Sequence, residues 1–166
     1  MNPAPSNART QPELPLRHIL ATLVYRAAKV LRDAPPEFSG FRPATGSRSA
    51  GEILAHIGDL LDWALSQARG QEKWRNSKPQ EWAADAERFF AAATALDQYL
   101  ASSEPLHVAP GKLFQGALAD ALTHIGQIAM LRRLAGVPVR GENYSKAHIE
   151  IGRTGADQNR AVQEFD

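Results

Sequence analysis

Two histidines and an aspartate interrupt stretches of sequence that otherwise repeat apolar residues every three or four positions. His56 stands three residues after Ile53 and four before Leu60, while Asp120 and His124 stand four apart among Ala117, Ala121, Ile128 and Leu131. On a helix, positions i and i+4 lie one turn apart on one side, so Asp120 and His124 can direct a carboxylate oxygen and an imidazole nitrogen at one point. His56, from a facing helix, completes a set of two histidines and one carboxylate. Such a set fills one face of a metal ion and leaves the other for water or substrate, which is the arrangement of catalytic rather than structural sites. Zinc, nickel, iron(II) and manganese(II) all accept these ligands. The alternative is that Asp120 hydrogen-bonds His124 within its helix and His56 is a core histidine satisfied by its neighbours. Spacing alone leaves both readings open.

The elements that must position these residues are helices. Leu16, Ile19, Leu20, Leu23, Val24, Ala27 and Val30 predict a first helix from about Pro15 to Leu31, closed by Pro35-Pro36. Ser49 with Glu52 three residues on has the spacing of a capping box. The second helix then carries Ile53, Leu54, Ile57, Leu60, Leu61, Ala64 and Leu65, and Gly70 can end it in the left-handed conformation. Pro79 suits the first turn of a third helix, whose stripe from Trp82 through Phe89, Phe90 and Leu96 ends near Ser102. A fourth runs from Leu113 to Leu134, stopped by Gly136 and Pro138. The fold class is therefore all-α, a four-helix bundle. The long connections between helices 1 and 2 and between helices 2 and 3 leave its up-down order open.

The remaining segments are a flexible N-terminus, 1–13, a bundle, 14–137, and a C-terminal stretch, 138–166, expected to run as an extended tail over the bundle or a partner subunit. Ala147, Ile149 and Ile151 alternate there in a strand-like way. Glu142, Tyr144 and His148 are tail candidates to close over an open metal face as an acid, a hydroxyl or a fourth ligand, against the plainer reading of a solvated or dimer-contact arm. Gln127, three after His124, can hydrogen-bond a ligand, and Trp63, seven after His56, can wall a pocket. His18 and His107 are expected to be exposed or structural.

Composition narrows the chemistry. The 166 residues include no cysteine, which removes disulfides, cysteine-held zinc or iron–sulfur clusters and a thiol nucleophile, so a metal is left to His, Asp or Glu. Nineteen Lys+Arg against eighteen Asp+Glu, with no basic stripe, argue against nucleic acid as a partner. The proline-rich polar start and the lack of a long apolar run predict a cytoplasmic protein with no membrane partner.

The segments SAGEILAHIGDLLDW, from Ser49 to Trp63, and DALTHIGQIAMLRRLAG, from Asp120 to Gly136, resemble the two hallmark stretches of the DinB-like superfamily, which includes the YfiT-like proteins. In that superfamily E-x-x-x-H on helix 2 is followed on helix 4 by H-x-x-x-H-x-G-Q-I and a trailing L-R. The resemblance implies a DinB-like bundle with one divalent transition metal held by three side chains from helices 2 and 4, often in a homodimer. His56 matches the helix 2 ligand and His124 the second histidine of helix 4. Asp120 stands where the commoner pattern has the first histidine, which makes the site harder and one charge more negative. The resemblance further implies metal-dependent transfer or hydrolysis of a small-molecule substrate, with a low-molecular-weight thiol as possible cosubstrate. Its alternative is a non-catalytic metal-binding or stress-associated homodimeric module.

Overall fold

The computed structural model describes residues 15–165, so the expectation of a flexible segment over 1–13 falls outside the described residues. Helix α1 spans Leu16–Leu31 and buries Leu20, Leu23, Val24 and Ala27, the positions that the three-and-four spacing selects. The two prolines that follow lead into a short 3-10 turn, Pro36–Gly40. Helix α2, Ala50–Ala68, opens on the expected capping box: the Glu52 amide donates to the Ser49 side chain, and the Ser49 amide donates to the Glu52 carboxylate. It closes at Gly70, whose φ of +71° is left-handed. The Gly70 and Gln71 amides turn back to the Gln67 and Ser66 carbonyls in a Schellman motif.

Helix α3, Trp82–Ala101, begins three residues later than Pro79 suggests. The reason lies in two buried aspartates. The Asp59 carboxylate on α2 accepts hydrogen bonds from the amide and hydroxyl of Ser77, and the Asp85 carboxylate in the first turn of α3 accepts the Gln80 amide. These contacts hold the chain before Trp82 in an extended path across α2. The fourth helix, α4, is composite: Pro110–Leu113 is α-helical, Phe114–Leu118 is a π-helical segment, and Ala119–Leu134 is α-helical again. A second Schellman closure forms at its end through Gly136 and Val137.

Helices α1 and α2 each pack on both α3 and α4, so α1 and α2 stand diagonally across the bundle. This settles the open question of order: the segment after α1 crosses the bundle rather than making a tight antiparallel turn. Arg132, buried near the end of α4, fixes one corner by donating to the Val30 and Arg32 carbonyls at the end of α1. Arg88 of α3 lies across α2, donating to the Ala55 carbonyl and to Asp59 and Asp62. Gly58 makes this crossing possible, since a Cβ there would stand 3.1 Å from the Arg88 guanidinium.

The tail folds back on the side made by α1 and α3. Its ends meet in a two-residue antiparallel pair, β1, Gly141–Glu142, with β2, Glu164–Phe165. Thus the alternating Ala147, Ile149 and Ile151 are not a strand; the ladder forms where the tail closes on itself. The Thr94 and Thr154 hydroxyls, 2.7 Å apart, join it to α3. Among the described residues no helix is long and apolar enough to cross a membrane.

Candidate metal centre

The seam between α2 and α4 lies opposite the face covered by the tail, and His56, Asp120 and His124 converge on it. One ligand-capable atom from each lies within 4.8 Å of the others. Asp120 and His124 are one turn apart at the start of the main α segment of α4, directly after the π segment. His56 approaches from two turns inside α2. Asp120 Oδ2 is 3.7 Å from His56 Nε2, and Asp120 Oδ1 is 3.4 Å from His124 Nε2. Both contacts are longer than an ordinary N–H···O hydrogen bond. Two donors each 2.0–2.2 Å from one ion at a tetrahedral angle stand about 3.3–3.6 Å apart, so the His124 edge has the span of a shared cation and the His56 edge is slightly wider.

Burial is graded across the group. The His124 and His56 side chains are 12% and 18% exposed, whereas that of Asp120 is 48% exposed. The site is therefore closed by protein on the imidazole side and open to solvent at the carboxylate. Burial lowers the His56 pKa below the ordinary histidine value, and the neighbouring His124 and Arg48 act in the same direction against the opposing pull of Asp120. A ring held neutral in this way keeps a nitrogen lone pair for a metal.

The other ring nitrogen of His124 is engaged. Its Nδ1 is 2.8 Å from Gln127 Oε1, an oxygen that can only accept, so in the neutral ring the proton belongs on Nδ1 and the lone pair on Nε2, the nitrogen facing Asp120. This is the usual device by which a hydrogen-bonded partner fixes the tautomer and ring plane of a metal-binding histidine.

Aromatic rings wall the His56 side. Trp74, in the connection between α2 and α3, meets the His56 ring edge-on at a centroid distance of 5.5 Å. Trp63 meets Trp74 at 5.8 Å and donates its indole N–H to Glu72. The spacing within α2 points to Trp63. It gives no sign of Trp74, which lies in an irregular segment with no period to read, or of Arg48 beside the capping box.

The tail residues are placed elsewhere. Glu142 is buried against α1, where its carboxylate accepts hydrogen bonds from the Tyr25 hydroxyl at 2.6 Å and the Lys29 ammonium at 2.9 Å. Tyr144 lies edge-on to Tyr25 and beneath the Arg26 guanidinium. The expectation that the tail closes over the histidines is corrected by this packing: Glu142 and Tyr144 join the tail to α1, across the bundle from the α2/α4 seam. His148 is exposed, and its carbonyl accepts from Asn159. Glu52 serves the capping box and pairs with Arg42.

A family model for the DinB superfamily matches residues 20–135, spanning all four helices and both segments that carry the histidines. The chain belongs to the DinB superfamily. No curated protein and no solved structure matches it significantly. Within this DinB-superfamily bundle the converging His/Asp/His group is a possible metal-binding site, and its donor set of two imidazoles and a carboxylate suits a divalent transition metal without selecting one.

Proposed function

We propose that the chain holds one divalent transition metal ion between His56, Asp120 and His124 and uses it to catalyse transfer or hydrolysis of a small molecule, with a low-molecular-weight thiol as cosubstrate in the transfer case. The observation that carries this reading is the pair formed by His124 Nε2 and Asp120 Oδ1. In the neutral His124 ring, with its proton on the Gln127 side, two electron-pair acceptors face one another at 3.4 Å, an arrangement that a shared cation stabilises. His56 approaches the other carboxylate oxygen.

When bound, such an ion supplies Lewis acidity and lowers the pKa of a thiol or water at its open face. The protein's own residues define that face. Gln127 holds the His124 ring in register, and Trp74 and Trp63 wall the His56 side. The half-exposed Asp120 leaves the approach for substrate on the solvent side. Since the chain has no cysteine, a sulfur nucleophile must come from a cosubstrate. In this reading the protein acts as a homodimer, a proposal supported by the outer edge of α4, where Met130 and Leu134 are more than half exposed.

The test is a turnover screen of metal-loaded protein against electrophiles and activated esters, with and without small thiols. The expected result is turnover that needs the metal and falls by at least about a hundredfold in Asp120→Ala and His124→Ala. Turnover unchanged in both variants contradicts the proposal. Light scattering of the purified chain tests the dimer.

A further inference from the structure

Beside the metal-capable group, at the N-terminal end of α2, lies a cleft of about 440 Å³ that His56 shares with Arg42, Arg48, Asn76, Ser77 and Lys78. Most of its charges are already matched. The Glu52 carboxylate receives a two-pronged pair of hydrogen bonds from Arg42, and Asp59 is neutralised by Arg88. Arg48 and Lys78 are the exceptions: neither has an ion pair or hydrogen bond with another described residue.

Their convergence is built into the fold. Arg48 immediately precedes the Ser49 cap, whereas Lys78 belongs to the connection before α3, thirty residues away in sequence. The buried Asp59 carboxylate holds both the amide and the hydroxyl of Ser77, which fixes the neighbouring Asn76 and Lys78 along the rim. Two exposed cations without ion pairs, one from each segment, therefore line one cleft and are free to meet an anion there. The positive end of the α2 dipole adds to the same field.

We infer that this cleft binds an oxyanion, a phosphate or carboxylate group, through Arg48 and Lys78. Because His56 lines both the cleft and the metal-capable group, the oxyanion belongs to the substrate, which is then a small organic anion with its reacting atom beyond His56. This last assignment rests on the function proposed above; the binding of an anion in the cleft does not.

The test titrates inorganic phosphate and, separately, succinate into the chain stripped of metal with a chelator, following backbone amide resonances by NMR. The expected result is a saturable shift of resonances around Arg48, Ser77 and Lys78 with at least one of the two anions, and the tighter anion identifies the group. Arg48→Ala and Lys78→Ala should each weaken that affinity about tenfold, the loss of one charge-assisted contact. Lys146→Ala, which removes an exposed charge from the tail, should leave it unchanged. Failure of both anions to shift these resonances, or equal weakening by Lys146→Ala, overturns the inference. Since no metal is present during the titration, a negative result concerns the cleft alone, and failure of the metal site is read separately from metal content.

Discussion

His124 Nδ1 donates to Gln127 Oε1 at 2.8 Å, so in the neutral ring the other nitrogen faces Asp120 as an acceptor. Gln127 therefore decides which face of His124 is available. Gln127→Ala leaves Nδ1 free to lose its proton to Nε2 and releases the ring plane. The expected outcome is a metal affinity lowered by roughly 10–100-fold, measured by competition with a chromophoric chelator, with helicity unchanged. Gln127→Glu, which keeps the acceptor, should restore most of it. Equal affinity in the alanine variant would show that His124 is not oriented by this bond.

Trp74 gives the site an optical reporter. Its ring stands 5.5 Å from that of His56, whereas Trp82 is buried with its indole N–H on the Leu31 carbonyl. Nickel(II) or cobalt(II) added to the metal-free chain should quench tryptophan emission, and replacing both Trp74 and its neighbour Trp63 with Phe should remove most of that quenching. Quenching that persists undiminished in the double variant places the ion away from His56.

Asp59 links the fold to the site, and it carries a pH dependence. Burial pushes its carboxyl up, but the Ser77 hydroxyl and amide and the Arg88 guanidinium outweigh that and hold it below the ordinary aspartate value. A carboxylate depressed in the folded state contributes its full stability above the unfolded pKa, near 3.8, and loses it as pH falls below that through the folded value. Asp59→Asn should therefore cost about 1.5–3 kcal/mol at neutral pH, measured by urea unfolding. The difference from the unmodified chain should shrink as the solution is taken below about pH 3. A deficit independent of pH would assign the cost to packing rather than charge.

The tail has its own fastening. Lys29 reaches both Glu142 and Glu164, one from each strand of the closing pair. Lys29→Ala leaves the buried Glu142 carboxylate with Tyr25 alone, and should destabilise the docked tail by about 1–3 kcal/mol. The expected readout is faster hydrogen exchange over 141–165 with metal affinity unchanged, since the tail lies opposite the histidines. Lost metal affinity would place the tail at the site instead.

Much of this architecture was legible in the residues. The four helices follow from apolar spacing, and the cap at Ser49 and the left-handed stop at Gly70 follow from local chemistry that does not depend on the rest of the chain. His56, Asp120 and His124 stand out because they interrupt apolar helix faces, where polar groups need partners, and Gln127 because it stands three residues after His124. What could not be read depends on contacts between distant segments. Asp59 and Asp85 look like solvent-facing charges until α2 and α3 are packed together, and their hold on Ser77 and Gln80 is what shifts the start of α3 to Trp82. The π segment before Asp120 keeps an apolar pattern close to that of an α-helix. Glu142 and Tyr144 carry catalytic functional groups, but a sequence does not show that the diagonal placement of α1 and α2 puts the tail on the far side.

The convergence of His56, Asp120 and His124 is tested most directly by metal content. Protein prepared without a metal-affinity tag, reconstituted with zinc, nickel, iron(II) or manganese(II) and freed of excess ion, should retain about one ion per chain by elemental analysis. His56→Ala and His124→Ala should each retain almost none while keeping the circular dichroism of the bundle. Metal content unchanged in both folded variants, or no ion retained by the unmodified chain, would contradict the account.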